Sequence, residues 1–266
     1  MTPTLQLRSA RLRVADLDRA QAFYAGVLGL VPGASVGRTL ALHAPGGVEP
    51  LLTLVETPGA LPKPPGVPGL FHLALLVPDR RSLARVLLRL AETRTPIHGL
   101  SDHGVSEAIY LEDPDGNGLE LYADRPRETW HSADGKLVMF TRALETGALL
   151  ATAPDARAAG LPAGTVIGHI HLRTSSLAAA ESFYAGQLGL AVTTRDYPGA
   201  LFLGADGYHH HVAVNTWGRS SPSGDYPYVY AGLERIEIAL RNLDAPRTLT
   251  DPAGLSVDLV PLTVPF

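Results

Sequence analysis

LRVADLDRAQAFYAGVLGL (12–30) reappears as LRTSSLAAAESFYAGQLGL (172–190), and this repetition decides how the whole chain is read. In each copy an apolar strand gives way to apolar residues at helical spacing. In the second copy HIHLRT is strand-like, Ser176 is placed to cap a helix, and LAAAESFYAGQLGL carries the helical pattern until Gly189 ends it. A second pair, EDPDGNGLELYAD (112–124) and TDPAGLSVDLVPL (250–262), repeats as well. Repeats on this scale set the architecture before any single element does. They divide the chain into four units at about 5–57, 69–124, 166–218 and 228–263, each opening with a short apolar strand and closing with strands.

The first and third units read strand, helix, strands. The fourth is shortened, because IEIALRN leaves hardly any room for a helix before DPAG. Units one and two fill residues 1–124 and units three and four fill 166–266. Residues 125–165 read as the linker between them, with a helical stretch in TRALETGALL.

At 266 residues the chain is long enough for one large or two ordinary domains. Its net charge of −4, with acidic and basic residues interspersed, offers no basic footprint for nucleic acid and no polybasic membrane face. The N-terminal stretch has no apolar targeting core, and no apolar run approaches the roughly 20 residues that span a bilayer. The expectation is a soluble, cytoplasmic protein with a small-molecule partner. Without cysteine there are no disulfides, thiolate nucleophiles or iron–sulfur clusters, so any metal must sit on nitrogen and oxygen.

FYAGVLGL, FYAGQLGL and DPDGNGLELY at these spacings resemble the vicinal oxygen chelate superfamily of glyoxalases, bleomycin resistance proteins and extradiol dioxygenases. Within it, LFHLALLVPDR, SDHGVSEAIYLEDPDGNGLELYADRPR, GHIHL and GYHHHVAVNTW are most similar to the two-domain, CatE-type catechol 2,3-dioxygenases. The resemblance covers nearly the whole chain. It implies an α+β fold of four βαβββ modules, the fourth shortened, pairing into two cup-shaped curled sheets.

In that superfamily the metal ligands stand on the first and last strands of each module. At those positions unit two offers His72 and Glu120, and unit three offers His169. Unit one offers Ser9 and Thr53; unit four offers Arg235, which would repel a cation, and Asp258. Two histidines and a carboxylate leave several positions open on a six-coordinate ion such as Fe(II); Mn(II) accepts the same donors. Because the set is split between units two and three, those two units are expected to share the metal cup. His171 lies two residues from His169 and is either its neighbour or its replacement.

The resemblance also implies a catalytic set. Laid on HHHVAV, the extradiol pattern puts the acid–base histidine at His210, and strand parity then turns His209 and His211 to the opposite face. Tyr110, ten residues before Glu120, matches a substrate-contacting tyrosine of that pattern, and His103 in SDHGVS resembles a substrate-contacting histidine, offset by two residues. The implied activity is ring opening of a small aromatic diol by dioxygen at Fe(II), and a homo-oligomer is compatible with it. Two other readings stand beside it. A metal-free binding protein of the bleomycin-resistance kind needs no ligand set, and a glyoxalase-like lyase or isomerase wants a fourth protein ligand.

Overall fold

The structure, a computed structural model, describes residues 4–154, 157–218 and 229–262; the expected limits of unit four at 228 and 263 lie outside them. Unit one folds as β1 (Leu5–Val14), α1 (Leu17–Gln21) running on as a π-helical stretch over Ala22–Val27, β2 (Val31–Val36), β3 (Thr39–His43) and β4 (Leu52–Glu56). Unit two is β5 (Gly69–Leu76), α2 (Arg80–Glu92), β6 (Gly99–Asp102), β7 (Ser106–Glu112) and β8 (Gly118–Asp124). The connecting segment supplies β9 (Arg142–Ala143) and α3 (Thr146–Leu150). Unit three follows with β10 (Val166–Arg173), α4 (Leu177–Tyr184), β11 (Ala191–Thr194), β12 (Ala200–Gly204) and β13 (Val212–Asn215). Unit four has β14 (Gly232–Leu240), β15 (Arg247–Thr250) and β16 (Ser256–Pro261), and no helix among its described residues. Nor, among those residues, is any helix long and apolar enough to cross a membrane.

Ser176 caps α4 by accepting a hydrogen bond from the Ala179 N–H at 3.2 Å. The helix stops at Tyr184, five residues short of Gly189, because the chain widens into a looser turn. There the Leu190 N–H reaches the Tyr184 carbonyl at 3.1 Å, as the Leu30 N–H reaches that of Tyr24 at 3.0 Å in unit one. Gly29 and Gly189 close these turns at φ of 82° and 77°, where a side chain would be strained.

The strands form two mixed sheets. One has the order β11-β12-β13-β10-β5-β8-β7-β6-β9, the other β15-β16-β14-β1-β4-β3-β2. Units two and three therefore lie in one sheet, joined where β5 runs antiparallel to β10, and units one and four in the other, joined where β1 runs antiparallel to β14. Strand alternation then sorts the side chains. Leu73, Leu75, Leu119, Leu121, Ile170, Leu172, Val212 and Val214 join one buried apolar cluster with Leu12, Leu54 and Ile236 of the other sheet. The alternate residues of the nine-stranded sheet face the other way and form its concave side.

Matching tyrosine–aspartate ties join the units in chain order. The Tyr24 hydroxyl donates to buried Asp113 at 2.9 Å, and the Tyr184 hydroxyl donates to Asp251 at 2.9 Å. Asp113 also accepts from the Asp115 and Asn117 N–H groups and the Asn117 amide, so this buried carboxylate is fully satisfied. Of the two DPDGNG glycines, Gly116 is in the left-handed region, at φ 78°. Gly118 is required for another reason: a β-carbon there would run into the Phe71 carbonyl oxygen, where β8 passes close to β5.

Residues 125–165 do more than connect. Strand β9 pairs with β6 at the edge of the nine-stranded sheet, and Trp130 and Leu149 are buried.

Candidate active site

On the concave side of the nine-stranded sheet Ala74 is the pivot. It pairs across β5–β10 with His169 and across β5–β8 with Glu120, while His72 stands two residues earlier on the same face. The small side chain between them lets three long ones converge. His72 Nε2 and His169 Nε2 each lie 3.0 Å from Glu120 Oε2, and 3.4 Å from one another. All three residues are buried and form a candidate metal-holding group. Neighbouring donors on a six-coordinate ion with bonds of about 2.1 Å are about 3.0 Å apart, so this triangle fits three adjacent corners of such a shell.

Burial alone would push the Glu120 carboxyl up, but the imidazoles of His169 and His72 outweigh it and hold it well below the usual carboxylate range. Burial likewise takes His169 down to about 4, leaving a neutral ring able to offer a lone pair. His171 pairs with His72 across the strands, yet its Nε2 accepts from the Asn215 amide at 2.8 Å. It stands beside the trio and outside the group that could hold an ion.

The trio floors a cavity of about 360 Å³, a size ordinary for small-molecule sites. His103, Tyr110 and His210 also line it, so the three expected ligands and the three expected catalytic residues face one cavity, while Ser9, Thr53, Arg235 and Asp258 lie outside it. His103 Nδ1 donates to the Phe140 carbonyl at 2.9 Å, which leaves Nε2 to accept the Tyr110 hydroxyl at 2.8 Å. Burial, reinforced by the Glu120 charge, raises the Tyr110 phenol well above its ordinary value, so it stays protonated. The ring of His210 lies 4.2 Å from that of His169, and burial pushes its pKa well below 6.5.

The walls are apolar and aromatic, with Phe71, Phe202 and Trp217 from units two and three and Met139 and Thr141 from the connecting segment. Neither of the last two carries a sequence signal for the site: Met139 lies outside every periodic stretch, and Thr141 only opens the stretch TRALETGALL. Parity also fails for the histidine run. Residues 208–211 precede β13, which starts at Val212, so alternation does not govern them. His209 is buried beside His210, its Nδ1 2.8 Å from that of His210 and its Nε2 3.0 Å from Asp124 Oδ1. Asp124 was findable: it shares strand parity with Glu120 and Tyr122 along LELYAD.

A model described as the Glyoxalase/Bleomycin resistance protein/Dioxygenase superfamily matches residues 6–121. A catechol-2,3-dioxygenase of Bacillus subtilis (strain 168) is 42% identical over 257 residues, which cover 94% of this chain and 88% of that one. Among solved structures, the cppA protein of Streptococcus pneumoniae TIGR4 superposes with a TM-score of 0.61 at 13% identity, over 97% of this chain and 99% of that one. Glyoxalase I of Zea mays does so with 0.57 at 16%, over 97% and 92%. At such identities these two report the fold alone. Shared sequence over nearly the full length of the Bacillus subtilis relative goes further: the chain belongs to the glyoxalase, bleomycin resistance protein and dioxygenase superfamily.

Proposed function

We propose that the protein is an extradiol dioxygenase that opens a catechol-type ring with dioxygen, next to rather than between the two hydroxyls. The observation that carries this reading is the buried triangle of His72, Glu120 and His169 on the floor of an aromatic-walled cavity. The relative that shares 42% of its sequence bears the name of that activity. His72, Glu120 and His169, two imidazoles and one carboxylate, would hold Fe(II), with Mn(II) as the alternative, and the ion would supply Lewis acidity and reactivity toward dioxygen.

The rest is the work of the chain. Phe71, Phe202 and Trp217 offer flat apolar surface to an aromatic ring and exclude water. The Tyr110 hydroxyl, donating to His103, presents its oxygen lone pairs to a substrate hydroxyl and fixes the orientation of the diol. His210, kept neutral by burial, is the proton acceptor: as a substrate O–H breaks, its ring forms the N–H, and the same proton is available for return to oxygen later. A glyoxalase-like reading wants a fourth protein donor, and the candidate group has three.

The test is to load purified protein with Fe(II) under argon and follow dioxygen uptake across a panel of catechols. Uptake matched one for one by consumed diol, with the absorbance of a ring-opened product, is expected. An iron-loaded protein that consumes no dioxygen with any of them would overturn the reading.

A further inference from the structure

His209 is the least exposed of the three consecutive histidines, at 1%, and the most elaborately held. Its ring stacks at 4.1 Å from Tyr208 and sits edge-on at 5.0 Å from Trp130. A phenylalanine would pack there without burying two ring nitrogens, so packing does not explain a histidine. What does is a hydrogen-bond chain whose direction can be worked out link by link. The carboxylate of Asp124 only accepts, so His209 Nε2 carries a hydrogen toward it at 3.0 Å. A neutral ring with its hydrogen on Nε2 offers Nδ1 as an acceptor. The 2.8 Å contact between the two Nδ1 atoms then requires the hydrogen to lie on His210 Nδ1. Asp124 is itself fixed, because it also accepts from the Tyr208 hydroxyl at 3.2 Å, and Tyr208 in turn accepts from Tyr122 at 2.7 Å.

We propose that Asp124 and His209 are positioning residues that fix the tautomer of His210, holding its hydrogen on Nδ1 so that Nε2 keeps a lone pair for the substrate. The inference rests on the dioxygenase reading for its purpose, but its geometry is independent of it. An unconstrained imidazole with no partner on Nδ1 is free to carry its hydrogen on Nε2, and would then meet a substrate hydroxyl with a donor where an acceptor is needed. The chain removes that alternative and sets the ring plane. When Nε2 takes up the substrate proton, Nδ1 keeps its own hydrogen, and the arriving positive charge faces a row of dipoles that ends at the Asp124 carboxylate. No proton has to travel along the row.

The experiment reads the tautomer directly. Full-length chain with ¹⁵N-labelled histidine, freed of metal by chelation, is examined by long-range ¹H–¹⁵N correlation, with the His210 signals assigned by their loss in His210→Gln. The wild type is expected to show a protonated Nδ1 and a bare Nε2 at His210. In His209→Phe the acceptor is gone, and in Asp124→Ala His209 can turn its hydrogen onto Nδ1; in both, the Nε2–H form of His210 should appear. With iron restored, kcat for dioxygen uptake should fall about 10- to 100-fold, the usual loss on removing an outer orienting partner, with KM and iron content unchanged. Asp124→Ala alters a partly exposed side chain and stands in if His209→Phe does not fold. A wild-type His210 protonated on Nε2, or a tautomer unmoved in the variants, overturns the proposal; so does a moved tautomer with an unchanged rate. Absence of turnover by the wild type itself would count against the dioxygenase reading, and the tautomer measurement would still decide this one.

Discussion

The two sheets are built to the same plan and carry different chemistry at matching places. In the nine-stranded sheet Ala74 on β5 pairs with His169 and Glu120, with His72 two residues before it. In the seven-stranded sheet Arg11 on β1 pairs with Arg235 and Thr53, with Ser9 two residues before it. Where one sheet gathers two imidazoles and a carboxylate, the other has a hydroxyl, a hydroxyl and a guanidinium bound to Asp258 at 2.6 Å. Backbone pairing and curvature thus do not make a metal site. The candidate group depends on its three side chains, and a guanidinium at one of the three places disfavours a divalent ion.

The sharpest way to break this contrast is to empty one corner of the triangle. Glu120→Ala should leave a folded protein, because the shared core and the seven-stranded sheet do not use that side chain, while metal retention and dioxygen uptake both fall to background. Metal analysis after chelation and reloading is the check; full occupancy in the variant would show that the three side chains do not hold the ion.

Next in size is the group beside the triangle. His210→Phe should keep metal and catechol binding, since an aromatic of similar size fills the place and no donor is lost. Turnover at saturating catechol should drop about 10²- to 10⁴-fold, the worth of one positioned proton-transfer group. A rate near that of the wild type would move the acid–base task to His103 and Tyr110.

How much of this could be read from the sequence follows from what each inference needed. The four units are visible because the repeats are written in the sequence itself, whereas the trio His72, Glu120 and His169 is legible only through the family resemblance, which points to the first and last strands of each module. The partnership of His209 with His210 is not, because alternation was applied to residues 208–211, which precede their strand, so that two neighbours lie together where parity sends them apart. Met139 and Thr141 enter the cavity through contacts distant along the chain, which no local pattern records.

A smaller effect depends on pH. His211, next to the site but not lining the cavity, accepts the Ala205 N–H on Nδ1 at 3.2 Å, and burial lowers its pKa from 6.5 to about 4. The unfolded chain binds a proton at higher pH than the folded one, so stability is intact above about 6.5 and lost as pH falls toward 4. Between pH 7 and 5 this group should account for about 1–2 kcal/mol of that loss. In His211→Asn, whose side-chain oxygen can take over the hydrogen bond, urea unfolding at the two pH values should differ less than in the wild type by that amount, with the rate unchanged. An identical pH dependence would show that His211 is not held neutral.

The smallest expected effect lies in the seven-stranded sheet. Arg235 and Asp258 form an ion pair with side chains 44% and 22% exposed, and such pairs contribute about 0.2–1 kcal/mol. Asp258 also accepts the Thr248 hydroxyl at 2.6 Å, so removing the arginine does not strip the carboxylate of every partner. Arg235→Ala should therefore lower the unfolding midpoint by no more than a few degrees, given the ~2–4 °C that 1 kcal/mol is worth in a chain of this size class. Iron content, kcat and KM should not move, because no atom of Arg235 lines the cavity on the other sheet. A tenfold loss of turnover in this variant, with iron retained, would mean that the seven-stranded sheet acts on the site through the common apolar core. The division between a chemical sheet and a scaffold sheet would then be wrong, even with every distance in the triangle unchanged.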